Sequence, residues 1–179
     1  MGRVRTTGNI RGGGAKVAEG RRLGRLAAVA CYTFVVALVL TAAELASIRE
    51  HALAAYPEEC CGLLLGEVAP QREEVAAVVP VENRYAEPRG GFELAAGAVA
   101  CALAQERRGG RAVVGIYHSH PDGAALPSRR DEREAWPGWS YLIVPVTDGG
   151  CGEPRAFRRD AAGSPLVEEP VEIVEATLA

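Results

Sequence analysis

The sequence predicts an α/β or α+β sandwich made as a single domain. Short runs rich in Val, Leu and Ile, bounded by Gly, Pro and Asn, recur along the chain and read as strands. Two longer stretches with helical periodicity are interleaved with them, and that alternation points to helices packed on a sheet. At 179 residues, 48% of them hydrophobic, the chain can bury one sizeable core. A charged content of 24% is ordinary for a globular protein, and a net charge of −3 gives no basic surface for nucleic acid. The five cysteines are an odd count and form no C-x-x-C, so neither a zinc ribbon nor a disulfide framework is expected. Reduced, mostly buried thiols in a cytoplasmic compartment are expected instead.

Residues 1–25 are rich in Gly and Arg and lack apolar periodicity, the composition of a disordered segment. Residues 1–30 therefore read as a dispensable extension, and residues 33–175 as the folded domain. Leu26 to Ala43 carries no charge and is long enough for a membrane span or a signal segment. The alternative divides this run into a buried strand, Val35 to Leu40, and the start of a helix, Thr41 to Tyr56. Thr41 and Glu44 make the T-x-x-E pattern of a capping box, in which each residue satisfies a free backbone N–H of the first turn. Leu45, Ile48, Ala52 and Leu53 then form an apolar stripe, and Pro57 ends it. A span through Ala43 would consume the strand, so no membrane association is expected.

Cys61 to Glu67 and Glu73 to Val81 read as two strands joined by a turn at Pro70. Asn83 to Gly91 reads as a loop and Phe92 to Leu94 as a short strand. Ala95 to Arg108 is an Ala-rich helix stopped by Gly109 and Gly110. Ala112 to Tyr117 is a buried strand, Ser128 to Glu134 a short helix, and Ser140 to Val146, Arg155 to Arg159 and Val171 to Val174 are further strands.

The stretch from Gly115 to Trp136 carries the chemistry. His118 and His120 are two apart after an apolar strand, and residues i and i+2 of a strand face the same side. Asp131 can add a harder ligand. Two imidazoles and a carboxylate are a three-ligand set for catalytic zinc, with a fourth position left open. Ser128 with Asp131 also reads as a helix cap with an acid in the first turn. Glu59 on its own is an ordinary acid. Cys60 and Cys61 beside it could serve as a further ligand or a nucleophile.

His118, His120, Ser128 and Asp131, with seven residues between His120 and Ser128, form the pattern H-x-H-P…S-x-x-D. It resembles the signature of the JAMM, or MPN-plus, metalloproteases. Glu59-Cys60-Cys61-Gly62 matches that family's upstream E-x-x-G segment, and Trp136 to Val146 looks like its following strand. The resemblance extends over about Val35 to Val174 and is closest to small single-domain bacterial members. It implies a curved mixed sheet between helices. It also implies one zinc per chain on His118, His120 and Asp131, with Glu59 as the proton-transferring base and Ser128 as donor to the oxyanion. The implied reaction is cleavage of a peptide or isopeptide bond after the Gly-Gly tail of a ubiquitin-like sulfur-carrier protein. The substrate is expected to thread as an extended strand along a sheet edge. Many MPN proteins have lost the zinc site and act as scaffolds, which is the alternative. A zinc deaminase would need H-x-E and P-C-x-x-C, and neither string occurs.

Overall fold

The structure is a computed structural model that describes residues 36–175. The expected extension over residues 1–30, and the part of the apolar run before residue 36, lie outside the described residues. The chain order is β1 (Ala37–Thr41), α1 (Ala42–Ala55), β2 (Cys61–Ala69), β3 (Arg72–Val81), α2 (Ala96–Glu106), β4 (Ala112–Pro121) and α3 (Arg129–Glu134). It continues with β5 (Ser140–Thr147), β6 (Gly150–Cys151), β7 (Arg155–Arg158), β8 (Val167–Glu169) and β9 (Val171–Val174).

The described half of the apolar run divides into strand and helix, because the capping box forms. Thr41 Oγ1 accepts from the Glu44 N–H at 3.2 Å, and a Glu44 carboxylate oxygen accepts from the Thr41 N–H at 2.8 Å. Loss of such a cap typically costs about 1 kcal/mol. Among the described residues no helix is long and apolar enough to cross a membrane.

The strands form one mixed sheet in the order β8-β7-β5-β4-β2-β3-β1-β9, with β6 paired to β5. β1 runs parallel to β3 and β9, and β4 parallel to β5; the other pairs are antiparallel. Two apolar layers sandwich it. One gathers Leu38, Leu40, Leu64, Tyr117, Leu142 and Val144 under Ile48 and Ala52 of α1. The other gathers Leu63, Ile116, Tyr141 and Ile143 under Val99 and Ala102 of α2. The sheet curls enough for Glu73 of β3 to reach β5 and β7, two and three strands beyond its neighbour β2. One of its carboxylate oxygens accepts from Ser140 Oγ of β5 at 2.8 Å, and the other meets Arg158 Nη1 of β7 at 2.6 Å. Glu73 is fully buried; breaking a buried ion pair of this kind typically costs about 3–5 kcal/mol.

Three expectations need correction. Phe92 to Leu94 is not a strand: the segment makes one isolated bridge, Asn83 to Leu94. In place of a ladder, the Glu93 N–H donates to Asn83 Oδ1 at 3.0 Å and the Glu93 carbonyl accepts from the Arg84 N–H at 2.8 Å. The strand of the histidines does not stop at Tyr117 but runs to Pro121, because its pairing with β5 continues to Val146. Cys101 is exposed, whereas Cys60 and Cys61 are buried as expected. The short strands β6 and β8 were not anticipated; two and three residues carry too little periodicity to read.

Candidate metal centre

β4 enters the site through a β-bulge. Leu64 pairs with Gly115 and Leu65 with Val113, so Val114 is an extra residue. The bulge resets the alternation, which puts Ile116 on the α2 face, Tyr117 on the α1 face, and His118 and His120 on the α2 and α3 side. Gly115 sits where β4 and β5 approach closely: a Cβ there would collide with the Ser140 carbonyl.

His118 is fully buried and His120 lies at the margin of the cleft. Their Nε2 atoms stand 3.1 Å apart. Asp131, on the first turn of α3, brings Oδ1 to 3.5 Å from His118 Nε2 and Oδ2 to 3.7 Å from His120 Nε2. A tetrahedral zinc with bonds of about 2.0–2.1 Å needs ligand atoms roughly 3.3 Å apart. The triangle therefore fits a metal of that size after shifts of a few tenths of an ångström, the two imidazoles parting slightly and the carboxylate closing in. These three residues form the one group among the described residues whose ligand atoms converge in this way.

The surrounding contacts orient these side chains in the way that outer partners orient the ligands of metal sites. His120 Nδ1 donates to the Ala124 carbonyl at 2.9 Å, which leaves the Nε2 lone pair for the site. The His118 ring is stacked on Phe92, centroids 4.4 Å apart and 27° between planes. Asp131 Oδ2 accepts from the Ser128 N–H at 2.6 Å, while Ser128 Oγ accepts from the N–H groups of Arg130 and Asp131 at 3.2 Å. Ser128 is thus the expected N-cap, and its hydroxyl proton remains available to a ligand.

Electrostatics match a metal-binding set. Burial lowers the His118 pKa, despite the nearby Asp131. Burial alone would lower His120 too, but Asp131, the Ala124 carbonyl and Glu59 outweigh it and raise its pKa. Burial pushes the Asp131 carboxyl up, yet the adjoining His118 and His120 imidazoles, with the Ser128 N–H, prevail and hold it well below the usual carboxylate range. Glu59 is nearly buried. Burial pushes its carboxyl up to about 7, with His120 and Arg130 pulling it down and Asp131 pushing further up.

All five residues singled out in the sequence come together. Glu59, His120, Ser128 and Asp131 line one cleft of about 220 Å³, with Gly90 and Gly91 on its wall. Glu59 is not part of the ligand group. Neither Cys60 nor Cys61 joins the centre. Burial raises their thiols to about 11 and about 12, so neither is a nucleophile near neutral pH.

The sequence reading missed four contributors. Ser119, between the two histidines, faces the opposite way; its Oγ accepts the Cys60 N–H at 2.8 Å, and its own N–H donates to the Cys60 carbonyl at 3.0 Å. Asn83 binds the Glu59 carbonyl. Phe92 stacks on His118. Arg130 lies over the Tyr85 ring, 3.7 Å from its centroid, and also walls the cleft. Only the Asn83–Tyr85 spacing carries a local signal, that of an Asx-turn. A second, apolar cavity of about 400 Å³ adjoins Asp131, walled by Phe92, Val99, Leu103, Ile116, Trp136 and Trp139.

The profile of the family described as prokaryotic homologs of the JAB domain matches residues 41–160. A desampylase from Haloferax volcanii is 41% identical over 100 residues, covering 55% of this chain and 70% of that one. A CysO-cysteine peptidase from Mycobacterium tuberculosis is 31% identical over 139 residues, 77% of this chain and 92% of that one. The solution structure of a protein from Desulfitobacterium hafniense superposes with a TM-score of 0.68 at 29% identity, covering 78% of this chain and 94% of that one.

Proposed function

This chain belongs to the family of prokaryotic homologs of the JAB domain, and from that premise we propose that it is a zinc-dependent peptidase. It hydrolyses the amide or isopeptide bond after the C-terminal Gly-Gly of a ubiquitin-like sulfur-carrier protein. The observation that carries this reading is the convergence of Glu59 and Ser128 on the His118–His120–Asp131 group in one small cleft. Relatives whose names state cleavage of such conjugates or adducts support the substrate class.

His118, His120 and Asp131 are the residues that would hold the zinc. When bound, zinc supplies a Lewis acid that polarises a carbonyl and makes water a nucleophile near neutral pH. Glu59, with its carboxyl raised to about 7 by burial, is suited to accept a proton from the attacking water and to return it to the leaving amine. Ser128 directs its hydroxyl proton to the carbonyl oxygen as that oxygen gains charge; its lone pairs are engaged by two backbone N–H groups.

The tail requirement has a steric basis. A cleft of about 220 Å³ walled by Gly90 and Gly91 leaves little room for side chains beside the scissile bond, and glycines approach without a Cβ. Among the described residues the N–H and C=O of Phe92 have no hydrogen-bond partner, which supports pairing with an extended substrate backbone. The apolar cavity beside Asp131, with Trp136 half exposed at its wall, is suited to a residue further up the tail.

Residues 33–175 are proposed as the self-sufficient catalytic domain. The cytoplasm is the proposed compartment, supported by the absence of a disulfide among the described cysteines.

The test is a sulfur-carrier protein carrying one extra residue after its Gly-Gly end. Intact mass should show trimming back to Gly-Gly. The same protein with its last glycine changed to a bulky residue should resist. Equal cleavage of both would overturn the specificity, and no cleavage of either would overturn the activity.

A further inference from the structure

Asn83 lies just beyond β3 and carries no group that could act on a substrate bond, yet every hydrogen-bonding position of its side chain is occupied. Nδ2 donates to the Glu59 carbonyl at 2.9 Å and to the Gly91 carbonyl at 3.1 Å. Oδ1 accepts from the Tyr85 N–H at 2.9 Å and from the Glu93 N–H at 3.0 Å. A primary amide offers two donors and two acceptor lone pairs, so this side chain is fully satisfied.

The four partners lie on two separate stretches that face the same cleft. One is the short approach to β2 that carries Glu59. The other is the 85–93 segment, whose Gly91 walls that cleft and whose Phe92 stacks on His118. Neither stretch is held by a continuous strand ladder at this point. The 90–93 segment has one backbone bond to the chain after β3, from the Arg84 N–H to the Glu93 carbonyl at 2.8 Å, beside the isolated Asn83–Leu94 bridge. The Glu59 backbone has one other contact, its N–H donating to the Pro88 carbonyl at 2.7 Å, and Pro88 belongs to the same loop. Cys60, the next residue, is locked to β4 through Ser119. Glu59 is therefore held between two anchors: Ser119 fixes the chain after it, and Asn83 fixes its own carbonyl.

We propose that Asn83 is a positioning residue for Glu59, setting where the carboxyl of Glu59 stands relative to the His118–His120–Asp131 group. This rests on the peptidase reading above, in which Glu59 moves the proton. A donor on the Glu59 carbonyl restrains the backbone from which that side chain projects, and displacement of a catalytic group by about 1 Å can cost on the order of a hundredfold in rate. Asn83 touches neither the ligand atoms nor the cleft, so its loss leaves the metal in place.

The experiment uses the full zinc-loaded chain and a ubiquitin-like protein ending in Gly-Gly-Cys. Asn83→Ala removes all four bonds. Asn83→Asp keeps acceptors for Tyr85 and Glu93 but removes both donors, and so isolates the link to Glu59 and Gly91. Both variants should keep one zinc per chain and a KM within about threefold of the wild type, while kcat falls at least about tenfold. The decisive arm is the double variant. In a Glu59→Gln background, Asn83→Asp should cost less than about twofold in the residual rate, because a residue that acts through Glu59 has nothing left to position. An active wild type with undiminished kcat in Asn83→Asp overturns the inference alone. So does an equal fold loss with and without Glu59, which would mark a merely structural role. Failure of both single variants to fold likewise overturns it. Wild-type chain inactive on the Gly-Gly-Cys substrate overturns the peptidase reading, and the inference with it.

Discussion

The Nε2 atoms of His118 and His120 face one another at 3.1 Å, with the Asp131 carboxylate closing the third side. Two neutral imidazoles cannot both present lone pairs at that distance without repulsion; a proton or a cation must lie between them. A divalent cation answers all three groups at once. The expected zinc content is one per chain, and His118→Ala or Asp131→Ala should lose most of it by elemental analysis. Full retention in both variants would show that other residues hold the metal.

Glu59→Gln should retain the zinc and lose between about a hundredfold and ten-thousandfold in turnover, the usual range for a general acid–base group. The amide keeps the shape of the side chain but cannot accept the proton. Wild-type turnover at full zinc occupancy would assign proton transfer elsewhere.

Glu169 makes stability depend on pH. It is buried on β8, and neither carboxylate oxygen has a hydrogen-bond partner, since Ser140 donates its hydroxyl to Glu73. Burial pushes its carboxyl up to about 7; Arg158 pulls it down, and Glu73 and Asp160 push it further up. The folded pKa is thus above the unfolded value of about 4.3. The associated stability is fully present below about pH 4 and is lost as pH rises toward and through 7. Glu169→Gln should therefore have little effect at pH 4 and stabilise by about 3–4 kcal/mol at pH 8. Thermal melts of metal-free wild type and variant at the two pH values measure this; a pH-independent difference would mean that Glu169 does not titrate in the fold.

A chain beginning at Thr33 should fold and cleave as the full chain does. β1 starts at Ala37 and is paired on both sides, with β3 and β9, so the truncation leaves every described strand intact. Circular dichroism and the Gly-Gly assay report on it. An insoluble truncated chain beside a full chain that partitions into membranes would support the membrane-span reading of Leu26 to Ala43.

The site was legible because much of it is local. Thr41 with Glu44 and Ser128 with Asp131 both fold as capping boxes, each a reciprocal pair of bonds across three residues. His118 and His120 share a face because strand side chains alternate with a period of two. Those relationships depend on neighbouring residue types and survive in any context that lets the helix or strand form. Which face the histidines take was not decided locally. The extra residue at Val114 shifts the phase of β4, and only pairing with β2 shows that it is extra.

Sequence alone determined the helix starts, the shared face of His118 and His120, the place of Asp131 in the first turn after a capping serine, and the E-x-x-G segment holding Glu59. Tertiary structure alone decided that Asn83 replaces a strand ladder beside Glu59, that Phe92 packs on His118, that Ser119 locks Cys60, and that Glu73 reaches across the curl of the sheet to Ser140 and Arg158. The physical reason is reach along the chain. Bonds within one helical turn or between alternate strand residues are set by backbone geometry common to all proteins. A hydrogen bond between residues 59 or 67 positions apart exists only after strand register and sheet curvature have put its two ends within 3 Å.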